Sequence, residues 1–208
     1  MQALLEVAPR KLLEAINAAP TNAQARASLQ HAIDLHRKSH ELCMAMESGH
    51  ACTIKALGKL LRRLLSETQS QMLLNAKDDK GTPGLYWAME KGHADVIAAV
   101  GELLLHMPPE EQRQVLLNTK DHRGIPGLPR LFKERNWEAL AQYIEVIKKI
   151  TPGLGLTERA ALLHEIRSSH AKKNKILGWF NSDDYAAFKK DNPALYSRFK
   201  EMKNALKR

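Results

Sequence analysis

Residues 73–104 read LLNAKDDKGTPGLYWAMEKGHADVIAAVGELL, and much of that wording returns at a fixed distance on both sides. Shifted by 43 residues without a gap, Glu41–Arg62 matches Gly84–Leu105 at twelve of twenty-two positions, among them Ala45/Ala88, Met46/Met89, Gly49/Gly92, His50/His93, Ile54/Ile97 and Gly58/Gly101. The same shift lays Met72–Leu85 on Val115–Leu128 with nine identities in fourteen. A third copy, GLPRLFKERNWEALAQYIEVI from Gly127, keeps the apolar spacing and few of the letters. A chain that repeats at such a period is built from units too small to bury their own apolar stripe, so neighbouring copies must stack into one continuous core. The apolar and glycine positions then have to recur, while solvent-facing ones are free to change.

Local chemistry predicts the anatomy of one unit. KDDKGTPG is dense in turn formers and reads as a tight hairpin. LYWAMEK is a short helix ended by Gly92, a residue suited to the left-handed conformation past a helix end. In HADVIAAVGELLL the residues Val96, Ile97, Val100, Leu103 and Leu104 share one helical face. Pro108 and Pro109 stop that helix and open PEEQRQVLL, which carries acids in its first turn; the preceding copy, SETQSQMLL, has Ser66 as its expected N-cap. The unit is hairpin plus three helices.

These residues resemble the ankyrin repeat. Asp78, Gly81, Thr82, Pro83, Leu85, Ala88, Gly92, His93, Leu103 and Leu104 stand in the roles of its turn, its Gly-His between two helices and its terminal leucine pair. Gly84 is an additional residue between Pro and Leu, and the third helix lengthens the period from the ordinary 33. Repeats with K-D-x-x-G-x-P-G-L and this third helix are similar to those at the C-termini of bacterial type III secreted effectors. The resemblance implies an all-α, ankyrin-like helical-repeat solenoid that binds a host protein. Some such effectors carry an enzymatic domain before the repeats; the Ala/Leu-rich start of this chain has no room for one, so no activity is carried over. The expected organisation is an N-terminal helical cap over 1–40, the array over 41–168, and a C-terminal helical cap over 169–208.

Composition agrees with a helical, water-facing chain. Aromatics make up 5% and the formal net charge is +9, which leaves acidic partners open. Cys43 and Cys52 are expected to be reduced thiols. No run reaches the length of a membrane span, and the first twenty residues lack the apolar core of a signal peptide. The expectation is a monomeric, cytoplasmic-type protein that does not insert into membranes and reaches a host cell by a signal-peptide-independent route. Residues 169–208 hold ten Lys/Arg against four Asp/Glu, and six of the eleven aromatics: Trp179, Phe180, Tyr185, Phe188, Tyr196 and Phe199. Those features fit an end cap, aromatic inside and basic outside; the competing reading is a nucleic-acid patch on Lys172, Lys173, Lys175, Lys189 and Lys190.

No catalytic, cofactor or metal constellation emerges. His36 and His40 share a helical face without a second ligand pair, and GTPG lacks the Lys-Ser/Thr of a phosphate loop. His50 and His93 are expected to bond loop backbone beside the glycine. The candidate site is therefore a surface, made of hairpin tips and the exposed side of each first helix. In one unit it comprises Lys77, Asp79, Lys80, Tyr86 and Glu90; in the next, Lys120, His122, Arg123, Arg130 and Lys133. Tyr86 and Arg130 are its expected anchors, since aromatics and Arg dominate interface energetics; the alternatives are that all of these are ordinary solvated side chains and that Tyr86 packs between units.

Overall fold

A computed structural model describes residues 23–61, 71–168 and 182–207. The expected cap at Ser66, the segment before Ala23, Lys172, Lys173, Lys175, Trp179, Phe180 and the Tyr185 side chain lie outside the described residues. The described chain is all-α: α1 Ala23–Glu47, α2 Ala51–Leu61, α3 Gly84–Glu90, α4 Ala94–Leu104, α5 Pro109–Leu117, α6 Gly127–Lys133, α7 Trp137–Ile150, α8 Leu156–Ser168, α9 Ser182–Asp191 and α10 Pro193–Ala205. Among the described residues there are no strands, only isolated bridges at Lys77↔Pro83 and Lys120↔Pro126.

The helices pack in rows. α1, α3, α6 and α9 lie one against the next, as do α2, α4, α7 and α10; α5 packs on α8. Helix ends follow the 43-residue shift. α1 and α3 end at Glu47 and Glu90, and α2 and α4 are both eleven residues long, starting at Ala51 and Ala94. α1 is one helix of 25 residues that runs through the expected boundary at 40/41. The last unit also departs, because α7 has 14 residues and displaces α8 along the chain. Leu42, Met46, Ile54, Met89, Ile97, Leu104, Leu131, Leu140 and Ile147 are fully buried in a core that continues through every row.

Three sets of glycines let neighbouring helices and turns approach closely. Gly49 and Gly92 have φ 76° and 74°, the left-handed region that favours glycine. A Cβ on Gly49 would lie 2.9 Å from the His93 ring, and one on Gly92 would lie 2.6 Å from Asn136. His93 and Asn136 are equivalent under the repeat. His93 bonds the Glu47 carbonyl at 3.0 Å, and Asn136 donates to the Glu90 carbonyl at 3.2 Å. His93 thus bonds backbone beside a glycine as expected, and the glycine is Gly49, at the helix end of the copy before. His50 is exposed. Inside the second row, a Cβ on Gly58 would overlap Leu103 and one on Gly101 would overlap Val146. Facing the other way, Gly84 presses on Cys43 and Met46, and Gly127 on Met89.

The same positions change in the first and third copies of the 43-residue pattern. Exposed Glu41 stands where Gly84 and Gly127 stand. At the far end Arg135 (φ 55°) replaces Gly92, and Ile144 replaces Gly101. Arg135 keeps the turn's backbone conformation in an exposed place. Gly92→Ala combines backbone strain with a side-chain clash and is expected to destabilise the chain by about 2 kcal/mol or more, whereas Arg135→Gly relieves strain and is expected to be neutral or stabilising by about 1 kcal/mol. Urea unfolding of both variants checks the contrast.

Candidate functional site

The hairpins are built by one aspartate each. Asp78 Oδ1 accepts from the backbone N–H of Lys80 at 2.9 Å and of Thr82 at 2.7 Å; Asp121 Oδ1 accepts from Arg123 at 2.9 Å and Ile125 at 2.8 Å. Each aspartate N–H donates across the loop, to the Thr82 and Ile125 carbonyls, both at 2.9 Å. Gly81 and Gly124, at φ 80° and 78°, complete the turns. Because the carboxylate holds the loop from within, the tip side chains are released to solvent: Lys77, Asp79 and Lys80 on one hairpin, His122 and Arg123 on the next, are exposed, and Lys120 is half-buried. Arg123 Nε donates to His122 Nε2 at 3.3 Å.

The helix side of the surface differs from expectation. Tyr86 is only 1% exposed, so its assignment as a partner anchor is corrected. It occupies a buried column with Cys43 and Pro129, the residues 43 positions to either side. Burial raises its hydroxyl pKa, although the hydrogen bond from Arg130 opposes the shift. Arg130 Nε lies 3.2 Å from that hydroxyl and 3.4 Å from Glu90. The second expected anchor thus joins α6 to α3, and Glu90 is its counter-ion. Lys133 is exposed.

Trp87 was not among the expected site residues. It is half-buried beside the first hairpin, where its indole N–H donates to Asp78 Oδ2 at 3.1 Å and the Lys91 ammonium lies 5.9 Å over its ring. Lys91 also pairs with Glu47 of α1 at 3.0 Å. The signal for this site was the series Met44, Trp87, Arg130, one position of the unit carrying three unrelated residues. Met44 is 45% exposed.

Elsewhere the chemistry is quiet. Among the described residues, no group of three or more His, Cys, Asp or Glu is placed to hold a metal ion, and no helix is long and apolar enough to cross a membrane. A small apolar hollow between Met46, Leu73, Leu85, Val100 and Val115 has no titratable side chain in its lining. Both cysteines are free thiols; Cys43 is buried, and burial, with Asp78, Glu47 and Asp79 nearby, pushes its thiol up to about 12. No family model, curated protein or solved structure matches this chain.

Two predictions follow from this chemistry. An aromatic disulfide reagent at neutral pH should titrate Cys52 in the folded protein and Cys43 only on unfolding, because the thiolate is the reacting form and Cys43 is shielded. In the hairpin, the Thr82 hydroxyl is buried without a partner where the next unit has Ile125. Thr82→Val should therefore stabilise by up to about 1 kcal/mol, while Asp78→Ala, which orphans two backbone N–H groups and an indole, should cost about 1–3 kcal/mol. Thermal unfolding of the two variants measures both.

Proposed function

We propose that the chain is an ankyrin-like helical-repeat solenoid that works as a protein–protein interaction scaffold. The observation that carries the reading is the pair of hairpins. Their backbone hydrogen bonds agree to within 0.1 Å, 2.9 against 2.9 Å and 2.7 against 2.8 Å, while the solvated side chains change from Asp79-Lys80 to His122-Arg123. A constant frame that presents variable side chains suits recognition of a particular partner. Catalysis needs a nucleophile, acid or base held in a concave site, and Asp79, Lys80, His122 and Arg123 are instead exposed on turns. We read the chain as a binding protein with no enzymatic role.

The K-D-x-x-G-x-P-G-L hairpin and the third helix support a more specific form of this reading: the binding domain of a bacterial effector, delivered by a route that uses no signal peptide, whose partner is a host protein. The exposed lysines at 189, 190, 200 and 207 favour a second reading, nucleic-acid binding through the C-terminal helices.

The two readings separate by charge reversal. Lys80→Glu with Arg123→Glu should abolish capture of the protein partner while helicity and melting stay unchanged, because both side chains are exposed and hold no counter-ion. Arg130 is unsuited to this test, since its loss would break the tie between α3 and α6. If Lys189→Glu with Lys190→Glu alone abolishes binding, and the bound species is DNA or RNA of arbitrary sequence whose affinity falls steeply with salt, nucleic-acid binding replaces the scaffold reading.

A further inference from the structure

The C-terminal end of the stack uses a different chemistry from its inner interfaces. Met46 meets Gly84 and Met89 meets Gly127. At the equivalent place Phe132 meets two aromatics of the last helix pair instead, Phe188 at 5.0 Å and Phe199 at 5.6 Å between ring centres, and Trp137 stacks on Phe188 at 5.2 Å. A parallel substitution occurs in the second row. Glu102 of α4 takes Lys149 of α7 at 2.8 Å. Forty-three residues on, Glu145 of α7 takes Arg198 of α10 at 2.7 Å. One turn along both helices, Lys148 lies 3.9 Å from Glu201. Two ties with the same spacing on each helix mean that α7 and α10 run parallel. α9 thus continues the first row behind α6, and α10 the second behind α7.

We infer that α9 and α10 are a fourth unit of the stack, reduced to two helices, and that this unit undocks from α6 and α7 on its own, ahead of the body. The inference rests on the stacked-unit reading above and goes beyond it by separating the end from the rest. Units of a stack are held by nearest neighbours, so an inner unit has two interfaces and an end unit one. Regions with fewer ties open first. The interface of α10 has no glycine bringing backbones together, and its ion pairs involve side chains that are 37–62% exposed, where salt screens them. Undocking would bare Phe132 and Trp137, an aromatic face at the end of the array.

Acid should act in the same direction as salt. The Glu145 carboxyl is held below its ordinary value chiefly by the hydrogen bond from Arg198, with Lys148 and Lys149 adding to it; Glu102 and Glu201 are the other carboxylates close by, each paired with one of those lysines. A depressed folded pKa means that the contribution to docking is complete above the undocked value and is lost as pH falls through the depressed one.

Hydrogen exchange on the full chain tests the inference. Arg198→Gln leaves the aromatic cluster intact and should speed exchange in α9 and α10 by about 3- to 5-fold, the size expected for one exposed ion pair, with α3 to α7 unchanged. High salt or acid should move the same helices first. Glu145→Arg with Arg198→Glu should restore most of the protection. Exchange of α9 and α10 in step with α3 to α7 under all conditions would overturn the inference, and so would an Arg198→Gln variant that exchanges like the parent. Gly92→Ala, which strains an inner interface, separates the two ways of failing. If it leaves α3 and α4 as protected as before, stacking itself is wrong; if it loosens them and Arg198→Gln does nothing, only the separate end unit is wrong.

Discussion

Everything in this structure depends on backbone approaching side chain between neighbouring units. His93 and Asn136 can reach the Glu47 and Glu90 carbonyls only because Gly49 and Gly92 leave the space above the turn empty. The same glycines supply the positive φ that turns the chain from the first helix into the second. One residue type therefore meets two demands at once, a left-handed turn and a vacant Cβ position. Deeper in the core, Gly58 and Gly101 admit Leu103 and Val146 against the helix backbone. The apolar burial that stabilises the array, about 25 cal/mol per Å² removed from water, is available only at the separation these glycines allow.

A second consequence concerns charge. Lys91–Glu47, Arg130–Glu90, Lys149–Glu102 and Arg198–Glu145 each cross from one layer of the stack to the next. Each is modest on its own, since exposed pairs contribute at most about 1 kcal/mol. Together they fix which layer faces which, a matter of register that apolar contacts leave loose. They also divide the charged residues into two populations. The four pairs hold one layer to the next, whereas Lys80 and Arg123 stand exposed on loops that close on their own aspartates. Recognition can then vary at the tips with little effect on the stack.

Much of this was legible in the residues before any coordinates. The hairpin, the three helices and the left-handed Gly92 follow from letters that recur at the fixed shift, and recurrence is strongest where geometry permits one solution. Tyr86 was not legible as a core residue. Its column contains Cys43, Tyr86 and Pro129, which share no polarity or shape class, so no pattern marks it as buried. Trp87 was passed over for the opposite reason. The variable series Met44, Trp87, Arg130 flags a surface position, but the bond from the Trp87 indole to Asp78 depends on the folded hairpin and has no trace in spacing. The length of α1 escaped because the repeat defines only the part of that helix shared with α3. The three extra residues of α7 lie where the copies had already diverged.

The glycines also tell where the packing between neighbouring helices changes character, which a count of identities cannot. A position that must be glycine while a neighbour presses on it is released when the neighbour is absent or of another kind. Glu41 stands in place of Gly84 in the first copy, and Ile144 stands in place of Gly101 where α7 meets the aromatic helix pair. Arg135 is the more informative case, because it retains the left-handed backbone at φ 55° after the side-chain constraint has gone. The two demands on Gly92 come apart at that residue. Backbone strain alone, of order 1–2 kcal/mol for a non-glycine residue, is tolerated at the edge of the array, and what glycine is retained for inside it is the room to let Asn136 through. Repeat arrays read from one sequence can be measured the same way, by asking at which copy the glycines next to a turn first acquire side chains.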